Sequence, residues 1–147
     1  MNRLVRAFLL FLSLSLAAAA QPKTWRGTWS ATVGNGVRAF GGTWDAALSD
    51  NPNIALGSWT VMDQAGATVA AGTWAARKDQ KIWQGSWQAR VRSGQRYSGT
   101  WRAQSQLPAS NGFSELFESA LTKVASGTWQ VGAAYSGTWS IRAYPHE

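Results

Sequence analysis

The chain offers few side chains that could act as an acid–base catalyst or a metal ligand. It has no cysteine, and its one histidine, His146, is next to the last residue. Five acids fall at predicted turns or at the start of a predicted helix, where they have structural tasks: Asp50, Asp63, Asp79, Glu115 and Glu118. Asp45, in a predicted strand, lacks such a task and is interpreted as an exposed strand residue. Because no Ser-His-Asp set or metal-ligand cluster can be assembled, we predict a protein that is not an enzyme and carries no cofactor or metal.

Basic residues are abundant and unevenly distributed. The formal net charge is +7, with 14 basic and seven acidic residues. Seven of the bases fall in one stretch of the sequence: Arg77, Lys78, Lys81, Arg90, Arg92, Arg96 and Arg102. Such a sector favours contacts with an anionic glycan or an anionic membrane surface over nucleic acid. The alternative interpretation is a solvated face that aids solubility.

Aromatic residues are the most numerous group with binding chemistry. Eight of the ten tryptophans end a Gly-Thr-Trp or Gly-Ser-Trp tripeptide. They are Trp29, Trp44, Trp59, Trp74, Trp87, Trp101, Trp129 and Trp139, with successive spacings of 15, 15, 15, 13, 14, 28 and 10 residues. A tripeptide repeated at such intervals indicates one supersecondary unit used several times.

The residues around each tripeptide alternate between two faces with a period of two, which is typical of a β-strand. In the first unit Trp25, Gly27 and Trp29 share an apolar face, while Thr28 and Ser30 share a polar one. One apolar and one polar face are expected of antiparallel strands that cover a core on one side.

The register between strands follows if each repeat glycine lies opposite the tryptophan of its neighbour. An indole then covers the gap that the glycine leaves, the arrangement called aromatic rescue. The residues left over are favourable turn sequences: Asn35-Gly36, Asp50-Asn51, Ala65-Gly66, Asp79-Gln80 and Arg92-Ser93-Gly94. Because this register keeps all repeats level, the stagger that closes a barrel would fall at the long gap before residue 127 or between the last and first strands.

The long gap between the sixth and seventh repeats predicts one helix, at about residues 110–124. Apolar residues recur there at intervals of three and four: Phe113, Leu116, Phe117, Ala120, Leu121 and Val124. This stripe is expected either to close one end of the barrel or to lie on the outer face of units three and four. That outer face carries an apolar patch, Ile54, Leu56, Met62 and Val69, which could equally be a homodimer interface.

These patterns predict an all-β fold, an eight-stranded antiparallel up-and-down meander with the amphipathic helix inserted between strands 6 and 7. We expect a closed or nearly closed small barrel, and an open curled sheet completed by the helix, or a dimer, is the alternative. The domain is predicted to cover residues 21–147.

The first twenty residues have the pattern of a cleaved secretory signal peptide. Arg3 and Arg6 precede an apolar run over 7–16 and small residues over 17–20. The apolar run is short for a membrane span, and no cysteine follows it to carry a lipid anchor. We therefore expect a periplasmic or secreted protein.

The repeated Gly-x-aromatic strands resemble known barrel families. The Gly27-Thr28-Trp29 tripeptide in a first strand is similar to avidin-type barrels, and residues 24–143 more closely resemble the small exported bacterial barrels called β-flowers. The latter resemblance implies a shallow, near-symmetric barrel with a hydrophobic, lipid-binding interior. It carries over no functional residue.

We predict that the interior binds an apolar or amphipathic, lipid-like ligand. The predicted contacts are the eight repeat tryptophans together with Phe40, Tyr97 and Tyr135. One alternative is a carbohydrate-binding protein, for which Trp25 and Trp83 are the best candidates near strand ends. Others are a scaffold filled by its own indoles and an outer-membrane barrel with tryptophans facing lipid.

Overall fold

A computed structural model describes residues 23–36 and 38–145, and the predicted signal peptide, like His146, lies outside them. The elements are β1 (Thr24–Val33), β2 (Arg38–Leu48), β3 (Ile54–Met62), β4 (Thr68–Asp79), β5 (Ile82–Val91), β6 (Arg96–Gln104), α1 (Phe113–Thr122), β7 (Ala125–Val131) and β8 (Tyr135–Ala143). Each strand pairs antiparallel with the next, and β8 pairs with β1. The predicted closed meander barrel is confirmed, and the open-sheet alternative is wrong.

The predicted Gly–Trp register is confirmed within four hairpins. In β1–β2, Trp29 lies opposite Gly42 and Gly27 lies opposite Trp44. The same pairing occurs in β3–β4, β5–β6 and β7–β8. The turns follow the predicted chemistry, since Gly66 and Gly94 have φ of +82° and +90°, where a side chain would be strained. Each hairpin is therefore a unit with two reciprocal Trp–Gly contacts.

Between hairpins the predicted level register is wrong. There each tryptophan lies opposite another tryptophan, so the pairing is shifted by two residues from the predicted pairing of tryptophan with glycine. The pairs are Trp44 with Trp59, Trp74 with Trp87, and Trp101 with Trp129. At the β8–β1 seam Trp139 lies opposite Ala31. The stagger that a closed barrel requires is therefore shared among these four strand pairs. Two predicted turns are therefore wrong. The turn between β4 and β5 is Gln80-Lys81, one residue later than predicted, and β2 and β3 are joined by residues 49–53 in place of the two-residue turn Asp50-Asn51.

Helix α1 closes one end of the barrel, which was one of its two predicted positions. Its buried face is Phe113, Leu116, Phe117 and Ala120, and the carboxylate of Glu115 accepts a hydrogen bond of 2.8 Å from the Gly112 N–H at its start. The ring of Phe113 stands edge-on to Trp83, with centroids 5.1 Å apart, and the ring of Phe117 lies 5.2 Å from Trp44. The other predicted position, on the outer face of units three and four, is wrong.

Of the four residues predicted for a homodimer interface, Val69 does not lie on the outer face of the barrel. A β-bulge pairs Val61 with Ala70 but Met62 with Thr68, so that Val69 is an extra residue and lines the interior. Leu56 and Met62 are exposed, but six residues of strand, about 20 Å, separate them.

Candidate ligand cavity

The barrel encloses a cavity of about 640 Å³ that runs from α1 towards the hairpin turns. Leu116 and Phe117 of the helix form its floor. The wall consists of the eight repeat tryptophans with Ala31, Phe40, Val61, Val69, Ala70, Ala89, Val91, Tyr97 and Ile141. None of these lining residues is charged, and the volume lies within the range of small-molecule sites.

Ten of the eleven predicted contact residues line the cavity. The exception is Tyr135, which is 62% exposed beside the last hairpin turn. Sequence reasoning did not name the aliphatic residues of the wall, although most alternate with the tryptophans on the same strand face. It also did not place Leu116 and Phe117 in the cavity, because the docking position of the helix was left open.

The indoles lie along the wall because each one covers a glycine of its hairpin partner. A methyl group on Gly42 would lie 3.2 Å from Nε1 of Trp29 and would overlap the carbonyl oxygen of Thr60. All eight repeat glycines have such an indole and such a carbonyl against them. Only glycine permits this approach, and the rings therefore rest against the sheet, which leaves the centre of the barrel open.

Four indoles extend over the glycine to the strand beyond it and donate their N–H to a backbone carbonyl there. Trp29 donates to Thr60 at 2.8 Å, across Gly42 of the intervening strand. The equivalent bonds run from Trp44 to Arg142, from Trp74 to Asp45 and from Trp129 to Thr32, at 2.9–3.0 Å. Since the polar edge of each of these rings is bonded within the wall, the rings present carbon to the cavity.

In three of these residues the backbone carbonyl accepts an indole N–H, and the side chain accepts the backbone N–H of the neighbouring strand in its place. The Thr60 hydroxyl accepts the backbone N–H of Thr43 at 3.2 Å. Thr32 does the same for Thr138 at 3.4 Å, and the Asp45 carboxylate accepts the Ser58 N–H at 2.8 Å. Asp45 therefore has the structural task that its sequence position did not reveal.

The tryptophans contact one another edge to face in two sets. On odd-numbered strands the centroids of Trp29, Trp59, Trp87 and Trp129 are 5.6–6.5 Å apart along the chain order. On even-numbered strands Trp74, Trp101 and Trp139 are 5.7–6.2 Å apart. Edge-to-face contacts fix the ring orientations and make the wall a preorganised aromatic surface. The Nε1 of Trp87 is buried without a partner, and nothing in the structure explains it.

The predicted basic sector is divided between the two ends of the barrel. Lys78 does not belong to a surface, because strand alternation turns it inwards at the helix end, where it is 5% exposed. Its ammonium donates to the carbonyls of Ala109 and Asn111 and lies 4.9 Å from the Trp83 ring centroid. The remaining members are exposed: Arg77, Lys81, Arg90, Arg92, Arg96 and Arg102.

The two tryptophans predicted as glycan contacts are inaccessible. Trp25 and Trp83 are 3% and 1% exposed, and they pack against Phe117 and Phe113 of the helix. The repeat tryptophans line the interior, whereas the outer-membrane alternative required them to face lipid.

Within residues 23–36 and 38–145, no three acidic or histidine side chains lie close enough together to hold a metal ion. No helix in the same residues is long and apolar enough to cross a membrane. Comparison of the chain with protein-family models, with curated proteins and with solved structures gives no match.

Proposed function

We propose that this protein is an exported, non-enzymatic binding module that holds an apolar or amphipathic, lipid-like molecule in its tryptophan-lined barrel. The observation that carries this proposal is the cavity of about 640 Å³ whose lining includes no charged side chain. The signal-peptide pattern of residues 1–20 supports a periplasmic or secreted location. The resemblance to β-flower barrels agrees with this function and stays a prediction.

Hydrogen-bonding capacity distinguishes an apolar ligand from a sugar. A sugar loses its bonds to water on entering a cavity and requires new donors and acceptors there. Six of the eight repeat tryptophans already donate their N–H to backbone carbonyls: Trp29, Trp44, Trp59, Trp74, Trp129 and Trp139. The lining offers a hydrocarbon chain favourable contacts and offers sugar hydroxyls few partners, so we favour the apolar ligand.

The position of the rings distinguishes a binding module from a scaffold. A scaffold interior would be filled to the density of a normal core, because empty space forfeits dispersion contacts. Here the glycines allow the indoles to lie against the sheet, as Trp29 lies over Gly42, and the volume between them stays open. A preformed apolar cavity of this kind supports ligand binding.

The test is titration of the purified protein with a fluorescent single-chain fatty acid, followed through tryptophan emission. We expect saturable quenching at micromolar probe with one site per chain, because the eight repeat indoles surround the cavity. No quenching in this range would overturn the proposal and leave the scaffold.

Two adjacent alanines provide matched variants for this titration. Ala70 lines the cavity, whereas Ala71 is exposed on the other face of the same strand. Ala70→Phe should place a ring inside the cavity, reduce its volume and weaken the quenching, while Ala71→Phe should bind like the unmodified protein. Equal binding by both variants would place the probe outside the barrel and contradict the proposal.

A further inference from the structure

The barrel end opposite α1 carries four large apolar side chains that are open to solvent. They are Phe40, Met62, Tyr97 and Tyr135, between 38% and 62% exposed, and each comes from a different hairpin. Phe40 and Tyr97 also line the cavity, so these four residues, the rim, lie at the end of the barrel towards which the cavity runs. Exposed apolar surface arranged in this way marks an interaction site.

Three arginines lie on one side of the rim. Arg90 and Arg96 are directly opposite each other on the outer face of β5 and β6, and Arg92 begins the turn between them. Like charges directly opposite on a sheet are destabilising, so this pair is not explained by stability. Arg92 donates to the Thr68 carbonyl at 3.2 Å and, with five N–H donors on its guanidinium, retains others for an anion.

Against these three positive charges, the described turns at this end of the barrel contain a single carboxylate. Asp63 is the acid there, and its Oδ1 accepts the backbone N–H groups of Ala65 and Ala67 at 2.9 Å each. That carboxylate organises its own turn. The rim therefore combines apolar side chains with a net positive field.

We propose that the rim docks on the surface of an anionic lipid bilayer. Its four apolar side chains enter the interfacial region while Arg90, Arg92 and Arg96 contact headgroup phosphates. This inference rests on the proposed function, because docking would bring the cavity opening against the lipid that supplies the ligand. Charge complementarity selects the bilayer over a second copy of the chain, whose rim carries the same positive charge.

The experiment is co-sedimentation of the purified protein with vesicles of phosphatidylcholine alone or of phosphatidylcholine mixed with phosphatidylglycerol. We expect binding to the mixed vesicles that weakens as salt is raised. The triple variant Arg90→Gln, Arg92→Gln, Arg96→Gln should bind them about 100-fold more weakly. Its matched control, Arg77→Gln, Arg102→Gln, Arg142→Gln, removes three exposed arginines away from the rim and should lose far less.

The apolar half of the rim is tested with residues that do not line the cavity. Met62→Ser with Tyr135→Ser should weaken vesicle binding, whereas Leu56→Ser with Ile82→Ser, at comparably exposed positions elsewhere, should not. Circular dichroism with thermal unfolding verifies that each variant is folded before its binding is interpreted.

The outcomes separate docking from ligand binding. Equal losses in the rim triple variant and its control would mean that net charge alone drives binding, and would overturn the proposal. A rim-dependent dimer without vesicle binding would overturn it in favour of a second copy. Normal quenching by the soluble fatty acid without vesicle binding would reject docking and leave the cavity function, whereas vesicle binding without quenching would reject the cavity function alone.

Discussion

The indole N–H of Trp29 donates a hydrogen bond of 2.8 Å to the carbonyl oxygen of Thr60, which therefore does not accept a backbone N–H from the neighbouring strand. Thr60 compensates with its hydroxyl, which accepts the backbone N–H of Thr43 at 3.2 Å. One residue thus serves both the cavity wall and the strand ladder.

Phenylalanine at position 29 should destabilise the barrel more than phenylalanine at position 87. Trp29→Phe removes the bond to Thr60 and leaves that carbonyl without its donor, whereas Nε1 of Trp87 has no partner to lose. We expect the free energy of unfolding of Trp29→Phe to be lower than that of Trp87→Phe by about 2 kcal/mol. Urea denaturation measures both, and equal losses would show that the indole bond contributes no net stability.

Two neighbouring glycines should differ in how far alanine destabilises the barrel. A methyl group on Gly42 would overlap the Thr60 carbonyl, whereas on Gly41 its nearest such contact is the Trp29 carbonyl oxygen at 3.3 Å. Gly42→Ala should therefore cost about 3 kcal/mol, the upper range for overpacking. Gly41→Ala should change stability by less than about 1 kcal/mol. Thermal unfolding of both proteins decides, and a tolerated Gly42→Ala would contradict the role of glycine beneath the indole.

Removal of the Thr60 hydroxyl should be costly even though valine keeps the same shape. Thr60→Val leaves the Thr43 N–H without its acceptor, and we expect a loss of about 1–2 kcal/mol in the free energy of unfolding. The control is Thr73→Val, at an exposed position on β4, which should be nearly neutral. Hydrogen exchange at the Thr43 amide provides the local readout, and unchanged protection there would argue against the compensation.

Lys78 should be a structural lysine. Its replacement by methionine removes a charge-assisted contact with the carbonyls of Ala109 and Asn111, which hold the loop before α1. We expect Lys78→Met to lower the free energy of unfolding by about 2 kcal/mol and Lys81→Met, at an exposed site, to change it by less than about 0.5 kcal/mol. If the two variants unfold alike, the buried ammonium does not anchor the loop.

Local features of this fold could be predicted because they depend on residues close in sequence. The Trp29–Gly42 pairing and the Gly94 turn follow from alternation and turn chemistry within one hairpin. The stagger between Trp44 and Trp59 could not be predicted, because it is a condition of closing the whole ring. The inward turn of Val69 required knowledge of a bulge that the sequence does not mark.

The candidate site could likewise be predicted only in its local features. Strand alternation identifies which tryptophans face inwards, but it does not determine whether a ring fills the interior or lies along the wall. That depends on carbonyls from a third strand, such as Arg142 for Trp44, which is distant in sequence. The burial of Lys78 was missed because its charge suggested an exposed position and outweighed the alternation.

The β8–β1 seam joins the first and last strands of the described barrel. Hairpin contacts such as Trp29 with Gly42 are local, whereas Thr32 meets Thr138 across 106 residues of chain, so we expect the hairpins to form before the seam. Until that meeting occurs, β1 and β8 are two open strand edges. Pairing of β8 with β1 of the same molecule then competes with pairing of β8 with β1 of another molecule. We therefore expect domain swapping, if it occurs, to exchange strands at this seam.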